Sequence, residues 1–187
     1  STGDMLRGAI KESSPVGLKA KGYMEQGKLV PDEIIHDIIV ERLSKDDVKK
    51  GFLFDGYPRN IEQAKDLSVI LEGLGMKIDA VVNLEIDDEV IVKRITGRRF
   101  CPNCGHTSNI YFAPDKVEGK CDVCGNDMAV RADDNEESLK VRLATYHELT
   151  KPVIAYYKEL DLVKSINADQ KMDAEFEDIK KALEGIN

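Results

Sequence analysis

Apolar residues recur along this chain with two periods. A spacing of three and four, the mark of an amphipathic helix, runs through Met5, Leu6, Ala9 and Ile10, then Val16, Ala20, Tyr23 and Met24, then Ile34, Ile35, Ile38, Ile39 and Leu43. The punctuation agrees. Ser1-Thr2-Gly3-Asp4 sets a hydroxyl three residues before an acid. Ser14-Pro15 and Pro31-Asp32-Glu33 put proline and acids where a first turn takes them, and Gly27 ends the second helix. Ala64, Leu67, Ile70, Leu71 and Leu74 predict a fourth helix, begun by a capping box of Asn60 with Gln63 and closed at Gly73 to Gly75. Asp87-Asp88-Glu89 opens a fifth through Val90, Ile91 and Ile95. Another runs from Asp134 through Leu139, Leu143, Tyr146 and Leu149, with a break or kink at Pro152. Met172, Phe176, Ile179 and Leu183 predict a closing helix.

Short apolar runs at 52–54, 80–86 and 162–166 lie between these helices and predict strands, buried on both faces as in a parallel sheet. Strands alternating with helices give an α/β fold, a parallel sheet flanked by helices. Residues 98–131 interrupt the rhythm and predict an insertion. Three strands are few for so many helices, and the chain opens on a helix. Both points lead us to expect a further element upstream.

The run 52–54 ends at Asp55, followed by Gly56, Tyr57-Pro58 and Arg59. In open α/β sheets ligands sit beyond the carboxyl ends of strands. Gly56 lets a ligand approach the backbone, and the planar fork of Arg59 suits a phosphate. A plain charged turn is the other reading. His36 falls among acids, away from the apolar stripe, and is expected to be merely solvated.

Composition changes this picture in one respect. The chain has 187 residues, 42% hydrophobic and 33% charged, with a formal net charge of -8. That size suits one core with a small insertion, and the balance disfavours a general nucleic-acid or membrane-surface binder. Any phosphate chemistry must therefore come from local arginines. No apolar run approaches the roughly 18 residues of a membrane helix, and the paired cysteines suit a cytoplasmic protein.

Those cysteines form two knuckles, Cys101-x-x-Cys104 and Cys121-x-x-Cys124, sixteen residues apart. This is the spacing of a four-thiolate zinc site; disulfides or free thiols are the alternative. Four thiolates leave no open coordination position, so the metal would be structural. Gly105 and Gly125 permit the tight turns and are expected to leave backbone N–H groups for the sulfurs. Arginines bracket the module, with Arg94, Arg98 and Arg99 before it and Arg131 and Arg142 after it. Converging arginines suit a transferring phosphoryl group; salt bridges to Asp133, Asp134 and Glu137 would explain them equally.

Taken together, Ser1-Thr2-Gly3-Asp4-Met5-Leu6-Arg7, Gly27 through Glu33, Phe52 through Arg59, Gly97-Arg98-Arg99 and Arg131 through Glu137 resemble the adenylate kinases. The type is the bacterial one with a long, zinc-bearing lid. The resemblance covers essentially the whole chain. It implies a three-layer fold of the P-loop nucleoside monophosphate kinase kind. The core would be residues 1–97 and 132–187, with AMP-binding helices over about 2–44 and a zinc-ribbon lid at 98–131. The implied reaction is reversible, in-line phosphoryl transfer from Mg-ATP to AMP, giving two ADP, by a monomer.

The resemblance assigns Thr2, Arg7, Leu29, Val30, Gly56, Arg59 and Gln63 to AMP. The amide of Gln63 both donates and accepts, as an adenine edge requires. Arg94 would stack on the ATP adenine, and Arg98, Arg131 and Arg142 would grip the phosphates. Asp4 and Asp55 would hold magnesium through water, Asp133 and Asp134 would pair with arginines on lid closure, and the four cysteines would hold zinc. The family also carries an N-terminal strand, a Gly-rich phosphate loop and a first helix. No G-x-x-x-x-G-K followed by Ser or Thr occurs in these residues, so the chain is expected to be truncated at that end. A non-catalytic AMP-binding fragment and a zinc-ribbon interaction module are the alternatives to an active enzyme.

Overall fold

A computed structural model describes residues 1–186. Three helices open it: α1 (Thr2–Lys11), α2 (Pro15–Glu25) and α3 (Asp32–Leu43). Side chains start the first two. Ser1 Oγ accepts from the Asp4 N–H at 3.4 Å and Ser14 Oγ from the Gly17 N–H at 3.1 Å, with Pro15 in the first turn. Their apolar stripes meet α4 (Ile61–Gly73) in one cluster built on Leu6, Ala20, Ile35, Ile39, Leu43, Leu67 and Leu71. Ile39, Leu67 and Leu71 are almost fully buried. Each such side chain contributes about 1.5–3 kcal/mol.

The parallel sheet has two strands. β1 (Val81–Glu85) pairs with β4 (Val163–Asn167), from Val81 opposite Val163 to Glu85 opposite Asn167. Helix α5 (Asp88–Thr96) follows β1, and α8 (Met172–Leu183) follows β4. The expected third strand at 52–54 is not formed. A strand exists through its ladder, and among the described residues none lies beside this run. Nor is the run buried on both faces. Phe52 and Phe54 turn inward, with Phe54 stacked edge-on against Tyr57 at 5.4 Å, while Leu53 is 82% exposed.

Between α5 and α6 (Glu136–Thr145) lies the insertion. Its hairpin pairs β2 (Arg98–Phe100) with β3 (Thr107–Asn109). Helix α6 starts two residues later than Asp134, because Asn135 Oδ1 accepts from the Ser138 N–H at 2.9 Å and fixes the cap there. Of the break or kink expected at Pro152, the break does not occur. A π-helical turn, Tyr146–Thr150, leads directly into α7 (Lys151–Glu159). Proline cannot donate to the helix and its ring crowds the carbonyl four residues back; a wider turn just ahead of it relieves both.

The capping box at α4 is only half formed. Asn60 Oδ1 accepts from the Gln63 N–H at 2.7 Å, but Gln63 Oε1 takes the N–H of Arg59, not that of Asn60, at 2.8 Å. His36 is not merely solvated: its Nδ1 lies 2.6 Å from Asp66 Oδ2 on α4. No described helix is long and apolar enough to cross a membrane.

Gly27 joins the first helices to α6. Its φ is +69°, and a Cβ there would overlap the backbone carbonyl of Ser138, whose Oγ donates to the Glu25 carbonyl at 2.8 Å. Gly27→Ala is therefore expected to destabilise the fold by about 2 kcal/mol, from the strained φ and the backbone collision together. The denaturant midpoint should fall at unchanged slope; an unmoved midpoint would show that the two segments part freely.

Candidate functional site

Five separate stretches converge on one open cleft: the start of α1, the 27–30 link after α2, residues 56–59, the first turn of α4, and the pair Asp133 and Arg142 beyond the insertion. All seven residues expected around a monophosphate, Thr2, Arg7, Leu29, Val30, Gly56, Arg59 and Gln63, line it. Local geometry explains how they are held. The carbonyl of Gly56 accepts from Thr2 Oγ1 at 3.2 Å and from Arg59 Nε at 2.7 Å. Gly56 has φ +68°, and a Cβ there would stand 2.9 Å from Arg59 Nη2. Thr150 Oγ1, from the π turn, donates to the Arg59 carbonyl at 2.8 Å.

The cleft also contains residues that sequence reasoning did not assign to it. Met24, Lys28 and Ile35 line it. Met24 and Ile35 lay on stripes read only as core, and Lys28 stood inside a quoted motif with no role attached. The lining thus combines apolar side chains, Leu6, Met24, Leu29, Val30 and Ile35, with the arginines Arg7, Arg59 and Arg142.

Arg7 and Arg142 lie close enough to Arg59 to act on its charge. Burial, and after it the Arg142 guanidinium, draw Arg59 below the usual arginine range, with Asp55 and Asp133 opposing. Arg131 is lowered in the same way, by burial and then by Arg98 and Arg7; its guanidinium lies 6.0 Å from the centre of the Phe100 ring. Arg7 thus faces both groups, and the five arginines form one cationic array. Among the described residues Arg59 and Arg131 make no salt bridge, and like charges held beside them form a place for a polyanion.

The carboxylates at the edge of this array are engaged. Asp134, with its side chain fully buried, takes Arg98 in a two-pronged pair, Nε at 2.8 Å and Nη2 at 2.5 Å. Arg142 lies 3.3 Å from Asp133 and 3.7 Å from Asp134. The hydrogen bond from Arg7, at 2.5 Å, holds the Asp4 carboxyl below its ordinary range. Asp55 is exposed. Arg94 stands apart from the cleft: its Nη2 donates to the Ala168 carbonyl at 2.6 Å, and its guanidinium lies 6.0 Å from the centre of the Phe112 ring.

The insertion brings its four cysteines together. All four Sγ atoms lie within 4.8 Å of one another. Two equivalent turns make this possible. The Gly105 N–H donates to the Cys101 carbonyl at 2.9 Å, and the Gly125 N–H to that of Cys121 at 2.8 Å, with both glycines at positive φ. The glycine amides close the turns, and in the second knuckle a backbone N–H is left for a sulfur: the Val123 N–H donates to Cys121 Sγ at 3.4 Å, and Asn126 Nδ2 donates to Cys124 Sγ at 3.3 Å. The Asn126 amide favours the thiolate and draws Cys124 down to about 5. Four converging sulfurs with donors aimed at them suit a soft, four-coordinate divalent metal.

Comparison with known proteins agrees with this geometry. The profile of the family described as adenylate kinase matches residues 1–162. The chain is 49% identical over 183 residues to the adenylate kinase of Desulforamulus reducens, spanning 98% of this chain and 86% of that protein. It is 46% identical over 183 residues to that of Clostridioides difficile, spanning 98% and 85%. Against the adenylate kinase of a Geobacillus species it is 46% identical over 186 residues, spanning 100% and 86%.

Proposed function

Because the chain belongs to the adenylate kinase family, a family of nucleoside monophosphate kinases, we propose that its arginine-lined cleft is the acceptor half of a site for phosphoryl transfer between Mg-ATP and AMP. One observation carries the reading: seven residues scattered from Thr2 to Gln63 meet in one cleft, with Arg142 across from them. AMP lies with its base toward Leu29, Val30 and Gln63 and its phosphate toward Arg7 and Arg59. Residues 2–44 form the AMP-binding helices, 98–131 the lid, and 1–97 with 132–187 the core.

Such a reaction needs little covalent chemistry from the protein. The transferring phosphoryl spreads charge over three oxygens, and positioning with neutralisation supplies most of the rate. Arg98, Arg131 and Arg142 gather around it, and Arg94 serves the donor's base. When the lid swings, Asp133 and Asp134 exchange partners among these arginines. Magnesium is a hard cation that keeps much of its water; Asp4 and Asp55 would hold it through that water. Zinc in the four-cysteine cluster is structural and keeps the lid folded. The enzyme works as a cytoplasmic monomer. Closing the lid excludes water and so limits loss of ATP to hydrolysis.

A second reading has one specific support. These 187 residues hold no G-x-x-x-x-G-K followed by Ser or Thr (Gly22 to Lys28, at the end of α2, runs into Leu29), so the donor's phosphate cradle is not among them. In that reading AMP binds and no phosphoryl moves. Formation of ADP from ATP and AMP separates the two.

The test of the acceptor site is Arg59→Ala, read by calorimetric titration with AMP. A charged hydrogen-bonding partner of phosphate contributes about 1.5–3 kcal/mol, so affinity should fall roughly 10- to 100-fold. The fold should lose less, because the side chain gives it one hydrogen bond, from Nε to the Gly56 carbonyl, worth about 0.5–1.5 kcal/mol. An unchanged AMP affinity would sink the assignment.

A further inference from the structure

We propose that Asp32 sets the base preference of the cleft by fixing which way round the side-chain amide of Gln63 lies. This rests on the reading above, in which Gln63 meets the base of the bound monophosphate. Gln63 is 5% exposed and forms the wall between two clefts. On one side is the arginine-lined cleft; on the other is an acidic one that includes Asp32, His36 and Asp66.

A glutamine amide has two donor hydrogens and two acceptor lone pairs. Here Nε2 donates to Asp32 Oδ1 at 2.6 Å, and Oε1 accepts from the backbone N–H of Arg59 at 2.8 Å. Neither partner can exchange roles: a carboxylate only accepts, and a backbone N–H only donates. Turning the amide by half a revolution would set oxygen against oxygen and hydrogen against hydrogen. The partners therefore dictate the orientation of two otherwise look-alike atoms.

Asp32 is itself held in place. Asn60 Nδ2 donates to both its oxygens at 3.1 Å. It is also the first residue of α3, where the helix's free N–H groups favour a negative charge. Asn60 in turn caps α4, so one carboxylate ties the starts of both helices to the amide between them.

What Gln63 has left is one N–H and one lone pair. Adenine presents an exocyclic N–H beside a ring-nitrogen acceptor, and glutamine meets such a pair with both atoms of its amide. Hypoxanthine and guanine present the reverse, a carbonyl acceptor beside a ring N–H. An amide turned one way fits the first and turned the other way fits the second. A freely turning Gln63 would accept both; Asp32 withholds the second. Asp32 does not line the arginine cleft, so it acts as a positioning residue.

The test compares AMP with inosine monophosphate, calorimetrically, on the full chain, on Asp32→Asn and on Asp32→Glu. Asparagine can donate as well as accept and so removes one of the two partners that oppose reversal, leaving only the Arg59 N–H; glutamate still only accepts. The AMP-over-inosine-monophosphate affinity ratio should fall roughly tenfold in D32N, mainly because inosine monophosphate binds better. It should be largely kept in D32E. Asp32 is exposed, so neither change threatens the core, and a thermal midpoint checks this. A ratio unchanged in D32N overturns the proposal and leaves the AMP reading standing. An unaltered chain that binds both nucleotides equally overturns this proposal alone. An unaltered chain that binds no AMP overturns the reading beneath it as well.

Discussion

Withdrawal of the metal is expected to unfold residues 98–131 while α1 to α4 stay folded. The insertion has almost no apolar core to fall back on. Its fully buried residues are Cys101 and Cys121 themselves, whereas Ile110, Tyr111, Phe112, Val117, Val123 and Val130 are all exposed. Its longest ladder pairs three residues with three, far less than an independent hairpin needs. Structural zinc sites contribute on the order of 10–16 kcal/mol of apparent binding energy at neutral pH, and that binding energy is folding energy. The knuckle amides of Cys101, Gly105, Cys121 and Gly125 should lose hydrogen-exchange protection by several orders of magnitude in chelator, with those of α3 and α4 unchanged. Cys121→Ser should give the same pattern without chelator. If metal analysis shows the ion gone and the knuckle amides still protected, the metal does not hold the lid together.

Asp134→Ala should be the most damaging single change among the charged residues around the cleft. Its carboxylate is fully buried and is shared by Arg98, at 2.5 and 2.8 Å, and Arg142, at 3.7 Å. Removing one partner of a buried pair leaves the other charge uncompensated, at a cost of about 3–5 kcal/mol. Arg98 keeps 26% of its side-chain exposure, which lets water offset part of this; about 3 kcal/mol is the expected loss. Asp134→Asn keeps the shape and one acceptor oxygen and should cost less. Denaturant unfolding distinguishes them. A loss for Asp134→Ala within about 0.5 kcal/mol, the scale of an ordinary surface change, would mean that the pair is not held closed in solution.

What could be read from the sequence follows from the range of each signal. The stripes of α1 to α4 could be read because a helix places its buried residues three and four apart, and Ser1, Ser14 and Asn60 cap locally. The cysteine knuckles could be read because thiolate ligands come as close pairs. The strand at 52–54 could not be judged, because an apolar run becomes a strand only through a partner the run does not name. Pairings across distance were equally silent. His36 meets Asp66 thirty residues away, and Gln63 meets Asp32 thirty-one away. Chemical type said that Gln63 suits an adenine edge, and only the fold shows that two of its four hydrogen-bonding valences are already taken. The arginines kept both of their readings in a sense. Arg98 and Arg142 make the salt bridges that the plain reading expects, at the rim of the cleft that the functional reading requires.

The π turn at Tyr146–Thr150 gives the helical rod a change of phase. Each residue advances an α-helix by about 100°, and a π turn absorbs one residue more than an α turn. The stretch from Glu136 to Glu159 thus behaves as two cams on one shaft, set at different angles. The first presents Ser138 to the end of α2, and the second turns Val153 and Tyr157 toward Ala64 and the sheet. Thr150, at the step between them, reaches the backbone of Arg59. The step between the two phases is thus tied by one hydrogen bond to the arginine-lined cleft, without any loop between them.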